Sequence, residues 1–377
     1  MGLDAAALPD FPWDTLVPFA DVARTHPDGI VDLSVGTPVD PTPDLVRDAL
    51  AAASDAHGYP TTHGTAALRE AVVAWFARTR GVPGIDPADV LPTVGSKELV
   101  ALLPSLLGLG RGDAVLHPAS AYPTYDVGAR LAGATPIATD DVEAVLAERD
   151  DVRLVWLNSP GNPTGSVLGV ERLTSIVAAA RARGALVVSD ECYAELPWTE
   201  PWVTSGVPSI LDPRVSGGDT RGLLAVYSLS KRSNLAGYRA AFVAGDRATV
   251  AALLEVRKHM GLIVPGPVQA AMTTALGDDA HVAEQAARYR RRRTTLRAAL
   301  EGAGLVIDGS EAGLYLWARP AGDGGGDCWS TVADLAREGV LVAPGAFYGA
   351  AARRHVRVAL TATDERIAQA AARLAGA

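Results

Sequence analysis

The chain has 377 residues, 48% of them hydrophobic and 20% charged, an ordinary balance for a globular protein and a length that suits two domains sharing a face. Its formal net charge of -9 repels phosphate backbones and anionic lipid, so nucleic acid and membrane surfaces are not expected partners.

No basic region followed by an apolar stretch opens the chain, so no leader is expected. Residues 1–40 are rich in Pro and Asp and predict an N-terminal arm, extended over 3–40 and ending in a short strand at 30–35, that joins part of a small domain. From 45 onward helical spacing appears at 45–53 and 66–78. Short apolar runs at 113–117, 134–138, 152–158, 185–190 and 223–228 then alternate with helical segments at 123–131, 142–149 and 170–183. This alternation predicts a large α/β domain over 41–280, built on a mostly parallel sheet covered on both faces. Such sheets bind ligands at the carboxyl ends of their strands. Beyond 280 comes one long polar helix at 281–302. A strand at 305–308, a run at 313–318, a Gly-rich loop at 321–327, a helix at 330–337 and runs at 340–343 and 355–360 follow. They predict a small α+β domain over 281–377. No apolar run is long enough to span a bilayer. Cys192 and Cys328, the only cysteines, make no disulfide scaffold, so a reducing, cytoplasmic setting is expected.

Four local patterns carry chemistry. Ser228-Leu229-Ser230-Lys231, with Arg239 eight residues on, places a lysine directly after a strand. A partly desolvated lysine is a usable amine nucleophile, and the hydroxyls and arginine suit a phosphate dianion. A surface loop with scattered basic residues is the plain alternative. Asn158 through Gly165 holds two prolines and two glycines just past a strand, an irregular turn that can aim Asn162 at a ligand. Asn158 reads as bonding backbone only. Asp190, in Ser189-Asp190-Glu191-Cys192-Tyr193, is a carboxylate at the end of a buried strand and needs a cation or donor; a salt bridge or helix cap is the alternative, above all for Glu191. Gly95-Ser96-Lys97-Glu98 opens an apolar helix, where bare amides and the helix dipole favour an anion.

Other features keep plainer readings. Arg290 to Arg293 form a solvated helix face or salt bridges linking domains. His57, His63, His117, His259 and His281 lack metal-ligand spacing, and no metal is expected. Cys192 reads as a buried thiol.

The order and spacing of the four patterns resemble the fold-type I pyridoxal-phosphate enzymes of the class I/II aminotransferase group, over nearly the whole chain. The resemblance implies a seven-stranded, mostly parallel sheet between helices in the large domain. It implies pyridoxal 5'-phosphate held covalently by Lys231, with Asp190 on the pyridine nitrogen, Asn162 and Tyr193 on the ring 3'-oxygen, and Tyr122 stacked on the ring. Ser96, Lys97, Ser228, Ser230 and Arg239 would surround the phosphate. Arg357 would clamp the substrate α-carboxylate, with Gly36 lining the same end through its backbone. Tyr59, five residues before Gly64 and followed by Leu68-Arg69, would reach the partner subunit's phosphate, which implies a homodimer. Lys231, Asp190 and Tyr193 are the residues expected to carry the catalysis.

The whole stretch Ser228 through Arg239 resembles the N-succinyldiaminopimelate aminotransferases of the lysine pathway. So do Leu8 through Asp14, Arg257 to Gln269, Glu311-Ala312-Gly313-Leu314-Tyr315-Leu316-Trp317 and Ala359 to Ile367, outside the general motifs. The substrate so implied carries three carboxylates, so a second cation beyond Arg357 is expected, with Lys97, Lys258 and Arg232 as candidates. Aminotransferases for aspartate, free diaminopimelate or aromatic keto acids share the core motifs, as do related lyases. So do regulators that carry this fold behind a DNA-binding domain. The acidic charge and the start of the pattern within the first 40 residues argue against that last alternative.

Overall fold

In chain order the strands are β1 (Val31–Asp32), β2 (Val90–Val94), β3 (Ala114–His117), β4 (Thr135–Ala138), β5 (Val152–Asn158), β6 (Leu186–Asp190), β7 (Leu223–Ser228), β8 (Ala240–Gly245), β9 (Leu305–Asp308), β10 (Tyr315–Pro320), β11 (Val340–Leu341), β12 (Ala343–Pro344) and β13 (Val356–Ala359). They come from a computed structural model that describes residues 8–9, 12–322 and 326–375. The first seven residues of the expected arm, Asp10 and Phe11 of the opening segment, and 323–325 of the expected Gly-rich loop lie outside the described residues.

Seven strands form one sheet in the order β2-β8-β7-β6-β5-β3-β4. Every pairing from β7 to β4 is parallel; β8 runs antiparallel to both β7 and β2. This is the mostly parallel seven-stranded sheet that the resemblance implied. Successive residues of the central strands face opposite sides. Val155 and Leu157, with Leu223, Ala225 and Tyr227, pack into one core against the helices Ala66–Thr79, Val170–Arg183 and Gly266–Gly277. Leu154 and Trp156, with Leu224 and Val226, pack into a second core against Ser96–Leu106, Thr124–Ala132 and Arg247–Met260. Continuous apolar strands are what two covered faces require. Each such fully buried side chain contributes about 1.5–3 kcal/mol.

A third core joins Leu16, Ala20, Val31 and Leu33 to Tyr289, Leu296 and the elements after them. It is covered by the antiparallel sheet β12-β13-β10-β9 and by the parallel pair β1-β11. The long helix Ala280–Gly302 ties this region to the rest. Its buried Arg292 binds Asp40 at 2.6 Å and Asp364 at 2.6 Å, and Arg293 donates to the Ser310 carbonyl at 2.9 Å. Two of the four consecutive arginines therefore serve as ties rather than as a solvated face.

Three expectations need correction. The arm is not extended throughout: Val17–Arg24 is a helix, too short for its spacing to stand out, held by buried Ala20 and Ala23 and by Phe19 stacked on Trp329. Strands β2 and β8 had no apolar-run signal. Pro92 within β2 argues against a strand but is tolerated because β2 is an edge, and β8 is too rich in alanine to read as a strand. The helices Arg247–Met260 and Gly266–Gly277 were also unassigned in the sequence.

Candidate active site

The carboxyl ends of β5, β6 and β7 lie side by side, with Asn158 paired to Asp190 and Asp190 to Val226. The antiparallel β8 starts at the same edge, so the residue before it, Arg239, arrives beside Ser228; β2 ends there too and delivers Gly95 and Ser96. The result is a cavity of about 530 Å³. Gly36, Ser96, Lys97, Tyr122, Asn162, Asp190, Tyr193, Ser228, Ser230, Lys231, Arg239 and Arg357 all line it. Tyr59 does not: its side chain is fully exposed and lies outside the cavity of its own chain.

Lys231 sits on the single turn Leu229–Arg232, capped by Ser228, whose hydroxyl accepts from the Ser230 amide and donates to the Ser230 hydroxyl at 2.8 Å. Its Nζ donates to the Gly36 carbonyl at 2.5 Å. Burial, aided by the Arg357 and Arg239 charges and opposed by Tyr315 and Cys192, pulls this amine below its ordinary value. Asp190 accepts from the Tyr125 hydroxyl at 3.0 Å and from the Cys192 amide at 3.2 Å. Burial raises its carboxyl, and among the described residues no cation pairs with it. The turn after β5 is braced by Asn158, whose side chain donates to the Pro160 and Asp190 carbonyls and accepts from the Asn162 amide at 2.7 Å, backbone partners throughout. Neighbouring Glu191 is structural: it pairs with buried Arg80 at 3.0 Å and accepts from the Ser209 hydroxyl and the Ile210 amide.

At the phosphate-like end, Gly95 has φ of +78° and lies under Arg239; a Cβ there would stand 2.1 Å from the guanidinium. Ser96 opens an eleven-residue helix whose first two residues, Ser96 and Lys97, line the cavity, and Arg239 itself holds a left-handed backbone, φ 56°. Lys97 is exposed, with its ammonium 6.0 Å from the centre of the Tyr122 ring. Arg357, which also lines the cavity, is buried. It donates to the Asn162 side chain at 3.0 Å and to the Ser34 carbonyl at 2.7 Å, and its Nε has no partner. Two of the expected distal cations are elsewhere. Arg232 is buried against Glu195 at 3.2 Å and Trp75, and Lys258 pairs with Glu255 on the surface. Sequence reasoning missed Tyr125, on the helix Thr124–Ala132, and Tyr315, on β10, as residues that line the cavity.

Cys192 and Cys328 are both free and buried. Among the described residues no group of His, Cys, Asp and Glu could hold a metal ion, and no helix is long and apolar enough to cross a membrane.

The family model for aminotransferase class I and II matches residues 28–374. The chain belongs to the class I and II aminotransferases. It is thus a pyridoxal-phosphate-dependent transaminase. Among aminotransferases it is 58% identical to the 4-dedimethylamino-4-oxo-anhydrotetracycline transaminase OxyQ of Streptomyces rimosus, over 97% of this chain and 99% of that one. It is 58% identical to a probable aminotransferase of Mycobacterium tuberculosis, over 98% of this chain and 86% of that one. A solved probable N-succinyldiaminopimelate aminotransferase from Thermus thermophilus superposes with a TM-score of 0.85, at 28% identity, over 97% of this chain and 100% of that one. The cavity fits this family's cofactor on its own chemistry. It offers a buried carboxylate without a cation for a ring nitrogen and an amine at the same strand ends for an aldehyde. A helix start, two serines and an arginine around a bare glycine suit the phosphate.

Proposed function

We propose that this aminotransferase exchanges an amino group between N-succinyl-LL-2,6-diaminopimelate and 2-oxoglutarate, in the diaminopimelate route to lysine. One observation carries the reading: beyond Lys231 and Arg239, which the cofactor would engage, two more cations without acidic partners among the described residues line the same cavity. Arg357 is buried with an orphaned Nε, and Lys97 is exposed. A long substrate with carboxylates at both ends suits such a pair. The Thermus thermophilus relative and the segments outside the core motifs support the same substrate.

In this reading Lys231 would hold the cofactor covalently and, as a free amine, would serve as the base at the substrate α-carbon; its depressed basicity suits that role. The cofactor supplies an electron sink for the negative charge that develops at the α-carbon. Asp190, steadied by Tyr125 and the Cys192 amide, holds the proton on the pyridine nitrogen. Asn162 and Tyr193 would hydrogen-bond the 3'-oxygen, and Tyr122 would cover the ring. Ser96, Ser228, Ser230 and Arg239 take the phosphate. Gly36 lines the α-carboxylate end. Tyr59 of a second copy completes the phosphate site, so the working unit is a homodimer.

A second reading rests on the 58% identity to OxyQ, whose name describes amination of a polycyclic ketone. The two are separated by mixing the purified holoenzyme with N-succinyl-diaminopimelate, free diaminopimelate, aspartate and glutamate, and following loss of the cofactor's visible band. A tetracycline-type ketone is then offered to the aminated enzyme. N-succinyl-diaminopimelate is expected to react with the highest kcat/KM. Faster turnover of the polycyclic ketone than of the 2-oxo acid of that substrate would overturn the assignment.

A further inference from the structure

Tyr315 lies on β10 at the cavity wall, outside the four patterns that carry chemistry and with no role assigned to it above. Its hydroxyl is 3.2 Å from that of Tyr193, with the two rings edge to face at 5.8 Å. The Arg357 guanidinium lies over its ring, 4.0 Å from the centroid. Register explains the contact: Trp317 is opposite Arg357, so Tyr315, two residues away, shares Arg357's face of the sheet. On the far side the hydroxyl abuts Gly36, where a Cβ would stand 2.0 Å from it, and the Gly36 carbonyl is the group that receives Lys231. The Tyr315 side chain thus sits between three parts of the chain, with Tyr193 as the hydrogen-bond partner of its hydroxyl.

We propose that Tyr315 is a positioning residue of the reaction centre, whose hydroxyl donates its proton to the Tyr193 oxygen and so strengthens Tyr193 as a donor to the cofactor's 3'-oxygen. This rests on the reading that Tyr193 meets that oxygen. Hydrogen bonds in a chain polarise one another, so the outer donor strengthens the inner one. The direction of donation follows from proton count: a phenol carries one O–H, and that of Tyr193 is committed to the 3'-oxygen in this reading, so across the 3.2 Å contact Tyr315 is the donor. The Arg357 guanidinium over the Tyr315 ring favours the same direction, because a nearby cation makes that phenol more acidic. Lys231 is the other cation beside the pair, and Cys192, Tyr122, Tyr125, Tyr289 and Tyr348 are the other titratable groups around it.

The test is the pH midpoint of the bound cofactor's visible absorbance, read on holoenzyme without substrate. A weaker donor to the 3'-oxygen leaves more negative charge there, so the proton next to it on the Lys231 linkage is lost at higher pH. Tyr315→Phe should therefore move the midpoint upward by roughly half a pH unit, the size of part of one hydrogen bond to a charged group. Tyr193→Phe should move it further in the same direction, and the double variant no further than Tyr193→Phe. If Tyr193→Phe leaves the midpoint in place, the reading of Tyr193 is wrong. If Tyr193→Phe moves it and Tyr315→Phe does not, or moves it downward, the proposal is overturned. A purely structural role for Tyr315 would lower the Tm of the Tyr315→Phe protein without moving the midpoint.

Discussion

Lys231 is an amine whose surroundings oppose its charge. Burial is the main cause, with Arg357 and Arg239 adding to it and Tyr315 and Cys192 only partly compensating. Its neutral form is therefore available at lower pH than for a free lysine, whose ordinary value is 10.5. The unfolded chain binds this proton more tightly, so the group's own contribution to stability rises as pH climbs toward that value. Cofactor-free protein titrated with an acylating reagent, followed by mass spectrometry at Lys231, should show a reactivity midpoint below 10.5. A midpoint at or above that value would mean that the cavity does not desolvate the amine. Arg357 is the complementary case: a permanent charge, walled by Tyr315 and Tyr348, that keeps one donor unmatched.

At the scale of elements, the helix Ala280–Gly302 is held to segments distant in sequence by Arg292. Asp40 feels burial, which raises its carboxyl, but hydrogen bonds from Arg292 and Gln285 and the charges of Arg292 and Arg288 hold it below 3.8. A carboxyl held low in the fold stabilises above its unfolded value and loses that contribution as pH falls through the folded one. The advantage of the native protein over Asp40→Asn should therefore be full at pH 7 and persist until the pH drops below 3.8. Urea unfolding at about pH 7, 5 and 4 reads it, and a margin that already fades between 7 and 5 contradicts the account. The cost of Asp40→Asn at neutral pH should be about 2–3 kcal/mol, under the 3–5 of a fully buried pair because Asp364 offers Arg292 a second, partly exposed partner.

Across the whole molecule, Tyr59 is fully exposed and lies beyond its own cavity, and the homodimer proposed above gives it a role in a second copy. Lys231→Ala and Tyr59→Ala proteins each lack one half of every site if the sites are shared. Co-expressed, they should form mixed dimers in which one site has both residues, and activity should exceed the sum of the two parents. Activity equal to that sum would show that Tyr59 plays no part across the interface, and sedimentation would show whether a dimer forms at all.

Much of this was legible in the chain itself. Strands β5, β6 and β7 are continuous apolar runs because both faces of the sheet are covered, and each ends in the polar residue that enters the cavity: Asn158, Asp190 and Ser228. Periodicity reports burial, and burial follows local composition, so the sheet and its ligand edge could be read directly. The strands that escaped notice, β2 and β8, have weak local patterns because an edge position and close alanine packing, decided by their neighbours, make them strands. They are also the strands that bring Ser96 and Arg239 to the edge. The places of Lys97, Arg232 and Lys258 likewise could not be read: a cation's partner is set by which elements fold against it, and the sequence lists the charges without their neighbours. Tyr315 marks the same limit. Only the pairing of β10 with β13 puts its ring under Arg357, and only the approach of residue 36 puts its hydroxyl beside Tyr193 and the Lys231 carbonyl partner.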